Sequence, residues 1–591
     1  MNISLQWNDI ISIIIYLLII ILIGVFFTRG TKTTEGYFLG GRSIPWWAVG
    51  ISYMMSLYST LSLVAAPGEI YNYGLTMSIF GFLYPILSIA FFFVFMRFLF
   101  ASNVFTPFEY LEKRFSSNIR TLVGNIYIFT RIFYLAMVLY ATSMVFYGGA
   151  GWDPKITIII IGVIGTFYTV MGGMRAVVWT DVVQFVVLII GIGLVFIICS
   201  RESSGGLIGA WDYAMANGRG PERFVNPEFY KLSPFVRLSF WVLIYSQVSQ
   251  AIFYNSSDQI SVQRLLSTSS YKQAKKAIFT NSLAFIPFSI ILTVIGIMIY
   301  SYYGQNPDPN VSSGDVALFA FVSTKLPTPL PGIFFAAMLA AAMSTLDSGI
   351  NSISGLLVKE IYVRAKKGDV SDRRQVKLMK WGTVLIGAIA TIGGLGICIA
   401  STALKETVSE AFTIWTILGI VMNPVFLLGV TSRYITTAWI WRLTAWTFGF
   451  SFGLAGWYVI SKSGFTAPLP WNTVILAASI TAVMTISGML IKKLSKDLIR
   501  ALVKWFAILC GGAAFALLCW ALCSRYFEPG DTGGALSFMW VSFPGPILFI
   551  VGGYIVAYVL SRRQRKPEHE CLTLWSWREV SARLEEQIEA E

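Results

Sequence analysis

Of the 591 residues, 56% are hydrophobic, 15% aromatic and only 13% charged, and the mean hydropathy is +0.68. A soluble globular chain is about a quarter charged, so this one cannot solvate its own surface in water and reads as an integral membrane protein; disorder, collagen-like repeats and a disulfide-rich secreted scaffold are excluded by the same numbers. The formal charge of +14 would suggest nucleic acid in a soluble protein, but in a membrane protein it is weighed first against loop topology.

A span needs about 20 predominantly apolar residues to cross ~30 Å of hydrocarbon, and about fifteen stretches qualify. They centre on 8–27, 46–66, 77–99, 121–148, 155–172, 177–199, 235–255, 276–301, 329–357, 379–400, 409–430, 437–459, 472–491, 503–523 and 544–560. The first carries Asp9 at its head, has no basic leader and no small-residue cleavage site, so a retained helix is expected rather than a signal peptide. Aqueous loops are expected at 201–234 and 301–328, with a polar tail after Ser561. The six cysteines, Cys199, Cys398, Cys510, Cys519, Cys523 and Cys571, lie mostly in apolar runs without metal-type spacing and read as small core hydrophobes. The single histidine, His569, sits on the tail, which leaves the spans without imidazole chemistry.

Polar groups inside hydrocarbon cost several kcal/mol unless paired, so they are functional candidates. The span from Trp46 crowds Ser52, Ser56, Tyr58, Ser59, Thr60 and Ser62 onto more than one face. Hydroxyls that bond back to the preceding turn weaken a helix, and an unwound turn frees carbonyl oxygens for a cation, so a break is expected here; helix packing is the alternative. In 121–148, Arg131 lies about ten residues deep and needs a carboxylate, carbonyls or an anionic ligand. Arg442 and Lys504, near span ends, read as snorkelling cations. After Gly172 and Gly173, Asp181 and Gln184 enter an apolar span; Asp181 reads equally as a snorkelling end residue or a cation ligand. In AAAMSTLDSGINS, Ser344 and Ser348 share a helix face, Thr345 lies about 100° round, and Asp347 sits among them. Such hard oxygen donors suit sodium; the alternative is a small-residue interface with one buried protonated Asp.

Lys and Arg are retained on the cytoplasmic side. With the N-terminus outside and the C-terminus inside, most of the 44 Lys and Arg fall on cytoplasmic segments, most densely from Lys359 to Lys380. The charge is thus a topology signal, and no nucleic-acid partner is expected.

Four segments, FLGGRSIPWWAVGIS (38–52), GGMRAVVWTDVVQ (172–184), DQISVQRLLSTSS (258–270) and AAAMSTLDSGINS (340–352), together resemble the sodium:solute symporter family over roughly Asn8 to Val430. The resemblance implies an all-α, LeuT-like fold of five plus five inverted helices with one N-terminal and several C-terminal extra helices, about 14 to 15 spans in all. The corresponding organisation is 1–45 for a peripheral helix and cytoplasmic loop, 46–234 and 235–430 for the two repeats, 431–561 for extra helices and 562–591 for a cytoplasmic tail. It implies a principal sodium site of backbone carbonyls from Met55, Tyr58 and Ala341 with the hydroxyls of Ser344 and Thr345. A second site, as in some members, falls on Asp181, Ser344 and Ser348, and this chain departs from the hydroxyl-only pattern by carrying Asp347 there. Two neighbouring carboxylates either hold a cation tightly or share a proton, which leaves stoichiometry open.

The function implied is sodium-coupled secondary active import of a small solute across the plasma (inner) membrane, with sodium, solute and lipid bilayer as partners and no enzyme activity. For the substrate, Ser59, Ser62, Arg131, Asp258 and Gln259 are the candidates; the alternatives are a structural Arg131 bonded to carbonyls, and an Asp258 and Gln259 that pair with the basic loop beside them. Sialic-acid-transporting relatives carry an arginine for the substrate carboxylate on the helix that holds Arg131, which suits an organic acid. Sugar-transporting members carry Asn and Gln where Leu57 and Ser62 stand, so a sodium/sugar or polyol symporter is the weaker alternative. A transporter-like sensor or channel shares the same motifs; no GxxxxGK[ST] motif points to an ATP-driven pump.

Overall fold

A computed structural model describes residues 5–26, 33–309, 311, 314–366, 370–404, 422–462, 511–519, 523, 540, 543–562 and 573–576. The expected span 472–491, most of 409–430 and 503–523, and Lys504, Cys510, His569 and Cys571 lie outside those residues. Every regular element among the described residues is helical. Eight helices there are long and apolar enough to span a membrane, and a bent pair makes a ninth.

In chain order the helices are α1 (Trp7–Phe26), α2 (Thr34–Phe38), α3 (Trp46–Leu57), α4 (Thr60–Tyr73), α5 (Thr76–Gly81) and α6 (Leu83–Ala101). Next come α7 (Pro107–Arg114), α8 (Ser117–Ala150), α9 (Pro154–Glu202), α10 (Gly206–Ala216), α11 (Phe240–Ser256) and α12 (Gln259–Leu266). Then follow α13 (Tyr271–Gln305), α14 (Gly314–Lys325), α15 (Leu330–Leu356), α16 (Val363–Lys366) and α17 (Asp372–Leu404). Further helices cover Met422–Thr431, Thr437–Lys462 and Pro544–Arg562.

The chain forms two compact units. The first comprises Met1–Met96, Arg131–Arg223 and Asp258–Val408. Its centre is α15, almost wholly buried and built of small residues, so that neighbouring backbones come close. Added Cβ atoms at Gly332 and Gly349 would stand 2.3 Å from the Asp9 backbone and 2.6 Å from Leu135. Asp9 fastens α1 here, accepting from the Gly332 amide at 3.1 Å. The expected pair of spans at 155–172 and 177–199 is two helices that meet at a kink at Gly173 within Pro154–Glu202, and the φ of 60° and ψ of −158° at Gly173 suit only glycine. Asp153 caps the start of the first and Pro154 occupies the first helical position, where a missing N–H costs nothing.

The short α2 is capped by Thr33 and stopped by Gly40 and Gly41, both at positive φ. It buries Tyr37 against Gly173 and Phe38 against Gly355; a Cβ at those glycines would come within 2.7 Å of the Tyr37 carbonyl oxygen and 2.0 Å of the Phe38 ring.

The second unit comprises Arg97–Thr130, Phe224–Ser257 and Ser409–Glu591. Within it the buried Arg114 donates to the carbonyls of Gly429 (3.0 Å) and Ser432 (2.6 Å), closing the end of helix Met422–Thr431. Asn423 donates to Ser249 of α11 and accepts from Ser257. Phe235, Phe450, Leu454, Trp457 and Ala516 form an apolar cluster, and Arg442 lies 4.7 Å from the Trp439 ring centroid.

Candidate functional site

The hydroxyl-rich span from Trp46 is broken where the sequence leads one to expect it. Tyr58 and Ser59 are extended, between α3 and α4, and the two halves are bent by 63°. The last four carbonyls of a helix have no acceptor role within it, and Met55 lies in that final turn of α3. Ser56 spends its hydroxyl on the Tyr53 carbonyl at 2.7 Å, and Tyr58 reaches Ser289 of α13 at 2.6 Å.

Thr60, the first residue of α4, donates to the Met338 carbonyl of α15 at 2.9 Å. Ala341, Ser344, Thr345 and Ser348 follow within the next three turns, all buried. Thr345 donates to the Ala341 carbonyl at 3.1 Å, so these two expected ligands share one turn. The two stretches singled out in sequence are therefore brought together.

Asp181, fully buried, is the hub beside them. Ser52 of α3 and Ser344 of α15 each donate to it at 2.5 Å, to different carboxylate oxygens. The third donor is Arg264 of α12, at 3.0 Å. Arg264 is itself 1% exposed. It also donates to Ser52 Oγ at 2.7 Å, to Ser348 Oγ, and to the Ile260 carbonyl at 3.1 Å. Asp347 continues the network, accepting from Ser348 at 3.2 Å, Tyr168 at 2.9 Å and Thr180 at 3.4 Å. Asp181 is thus no snorkelling end residue, and it lies in one bonded chain with Asp347, Ser344 and Ser348. Gln184, a turn beyond, donates to Tyr16 at 3.4 Å.

Arg264 and Tyr168 were not among the sequence candidates. Arg264 stands in QISVQRLL, a half-polar segment directly after Asp258, where it reads as one more charge beside a loop. Tyr168 is one aromatic among many and carried no signal.

A second polar cluster lies around Arg131. Its guanidinium is ion-paired with Asp258, and Asp258 also accepts from the Ser261 amide (3.2 Å) and hydroxyl (2.6 Å), capping α12. Tyr134, against whose ring Arg131 packs, lies beside Ser59 of the helix break. Next to Asp258 is Gln259, fully buried, whose amide oxygen and nitrogen have no partner among the described residues. Ser59, Arg131, Asp258 and Gln259 are therefore neighbours; the half-buried Ser62 makes no bond to them.

A broken helix facing hydroxyls on a second helix, at the buried centre of a multi-span protein, defines a secondary transporter that couples a cation to a solute. Residues 37–438 match the sodium:solute symporter family. The chain belongs to that family of multi-pass, sodium-coupled transporters. It is 28% identical to a sodium/sialic acid symporter of Proteus mirabilis, over 70% of this chain and 83% of that one. It is 26% identical to the human sodium-coupled monocarboxylate transporter 2, over 76% of this chain and 73% of that one. Among solved structures it is similar, at a TM-score of 0.71 and 23% identity, to a substrate-bound, outward-open Na+-coupled sialic acid symporter, with 94% of this chain and 98% of that one covered. The fold is accordingly LeuT-like, with sodium as the coupling ion.

Proposed function

We propose that the protein imports a small organic acid together with sodium by alternating access, from a plasma (inner) membrane in which its N-terminus faces outward and its C-terminus the cytoplasm. The observation that carries the transport reading is the break at Tyr58 and Ser59, held by Thr60 against the helix that bears Ser344 and Thr345. In this reading Met55, Tyr58 and Ala341 carbonyls and the Ser344 and Thr345 hydroxyls take the principal sodium, while Asp181, Asp347 and Ser348 serve a second. Residues 46–234 and 235–430 are the two repeats that rock about these sites.

The acid reading draws on the relatives, which are named for sialic acid and monocarboxylates; Arg131 beside the break is ion-paired with Asp258, so an acid bound there would share that guanidinium with the carboxylate. Gln259 supplies donor and acceptor for the rest of such a solute. A polyol is the second reading, favoured by the same unbonded amide, since hydroxyls would satisfy it without a charge.

Each sodium moving inward contributes about 2.3 kcal/mol per 100 mV, so one or two ions support concentrative uptake. The test is uptake of sialic acid, short monocarboxylates and sugars into proteoliposomes under an inward sodium gradient. Accumulation of acids above equilibrium, abolished by replacing sodium with choline, is expected. Accumulation of sugars alone would replace the acid reading with the polyol one, and equilibration indifferent to sodium would make the protein a channel or sensor.

A further inference from the structure

Two of the residues proposed for the second sodium, Asp181 and Ser348, already hold a cation that belongs to the chain. We infer that the Arg264 guanidinium is a tethered counter-cation that exchanges with sodium on the Asp181 carboxylate, and so governs how tightly sodium engages it. This inference rests on the reading of Asp181 as a sodium ligand.

Arg264 holds Asp181 at 3.0 Å, Ser348 Oγ, and Ser52 Oγ at 2.7 Å, and Ser52 in turn donates to Asp181. It therefore occupies one oxygen of the carboxylate, Oδ2, and one of the hydroxyls that a sodium ion would need; the other oxygen, Oδ1, carries Ser344. Two cations cannot share one carboxylate oxygen and one hydroxyl in a buried site without strong repulsion. Sodium and Arg264 are therefore alternatives at Asp181 Oδ2 and Ser348 Oγ.

The buried Arg114, by contrast, donates to the backbone carbonyls of Gly429 and Ser432. Arg264 has one such bond, to Ile260 in its own helix, and its other acceptors are side chains that can turn. The exchange has a use in a carrier. An ionised carboxylate left alone in a buried site is costly, and a tethered guanidinium neutralises Asp181 for the return step without transporting an ion. The end of α12 is also tied to the α2 segment, through Gln263 to the Phe38 carbonyl at 2.5 Å and the Ile44 amide to Ser267 at 3.4 Å. Displacing the guanidinium therefore acts on the helix that holds this segment.

The test is radioactive sodium binding to the purified full-length protein. Arg264→Ala is expected to bind sodium about tenfold more tightly than the wild type. Millimolar guanidinium chloride should restore the weaker binding in that variant and leave the wild type unaffected, a response that a packing role does not produce. Adding Asp181→Asn should abolish the gain. If Asp181→Asn weakens sodium binding in the wild type while Arg264→Ala does not strengthen it, the exchange is overturned and the sodium role of Asp181 stands. If Asp181→Asn changes sodium binding in neither background, the sodium role of Asp181 falls, and the exchange with it. Should Arg264→Ala fail to fold, butanedione labelling of Arg264 in the wild type, read by peptide mass spectrometry, decides: faster labelling in sodium than in choline supports exchange, and equal labelling overturns it.

Discussion

The Arg131–Asp258 and Arg264–Asp181 pairs are both buried in the first unit, yet they are built from different materials. Asp258 is fixed by the backbone of the helix it begins, through the Ser261 amide, so its carboxylate has a place whether or not Arg131 is there. Asp181 receives no such bond from its own helix; its donors are side chains from α3, α12 and α15. A carboxylate seated on backbone is a joint, whereas one held by rotatable side chains can change partners. The first arrangement suits a fixed wall of a solute site and the second a site whose occupant comes and goes.

The strongest way to break this comparison is Asp258→Ala. It strips a buried ion pair and a helix cap together, which typically cost about 3–5 and 0.5–2 kcal/mol. Melting in detergent should fall steeply, and Asp258→Asn, which keeps the cap, should recover part of the loss. Asp181→Asn should instead lower sodium-driven uptake about a hundredfold, or ~2.7 kcal/mol, with a smaller drop in melting temperature, since Arg264 keeps Ser52, Ser348 and the Ile260 carbonyl. Equal melting losses in the two variants would erase the distinction between joint and switch.

Ser344→Ala or Thr345→Ala should raise the sodium concentration for half-maximal uptake about tenfold, ~1.4 kcal/mol, with folding yield little changed. Unchanged sodium activation in both would sink the principal-site assignment. The smallest effect is expected from Thr60→Val, which removes one buried hydrogen bond of about 0.5–1.5 kcal/mol between α4 and α15. A slight fall in melting temperature and a modest rise in sodium requirement should appear together; a fall in melting alone would confine Thr60 to packing.

Much of the architecture was legible because hydrocarbon punishes polar groups and leaves only apolar runs of fixed length. The helix break was legible for the same reason, since consecutive hydroxyls at Tyr58 to Thr60 fall on more than one face of the span, which helix packing alone does not call for. The hub was half legible. Asp181, Ser344, Ser348 and Asp347 announced themselves as polar residues in apolar surroundings, but which of them touch depends on how three helices cross. Arg264 escaped because it follows Asp258 and precedes Lys272 in the sequence, where it looks like another charge near a loop. Only the fold turns it inward. Arg131 was correctly seen to need a partner; that the partner is Asp258, 127 positions away, is a property of the packing.

The seats of Tyr37 and Phe38 carry an energetic consequence. Both rings occupy hollows defined by missing side chains, at Gly173 and Gly355, so the α2 segment is held by fit and has no spare room to slide. Lifting Phe38 alone into water forfeits about 1.5–3 kcal/mol, comparable to the ~2.3 kcal/mol that one sodium ion delivers in crossing 100 mV. The thermal energy RT at room temperature is about 0.6 kcal/mol. The Phe38 seat by itself therefore holds the segment by several times the thermal energy, on the scale of a single ion's work.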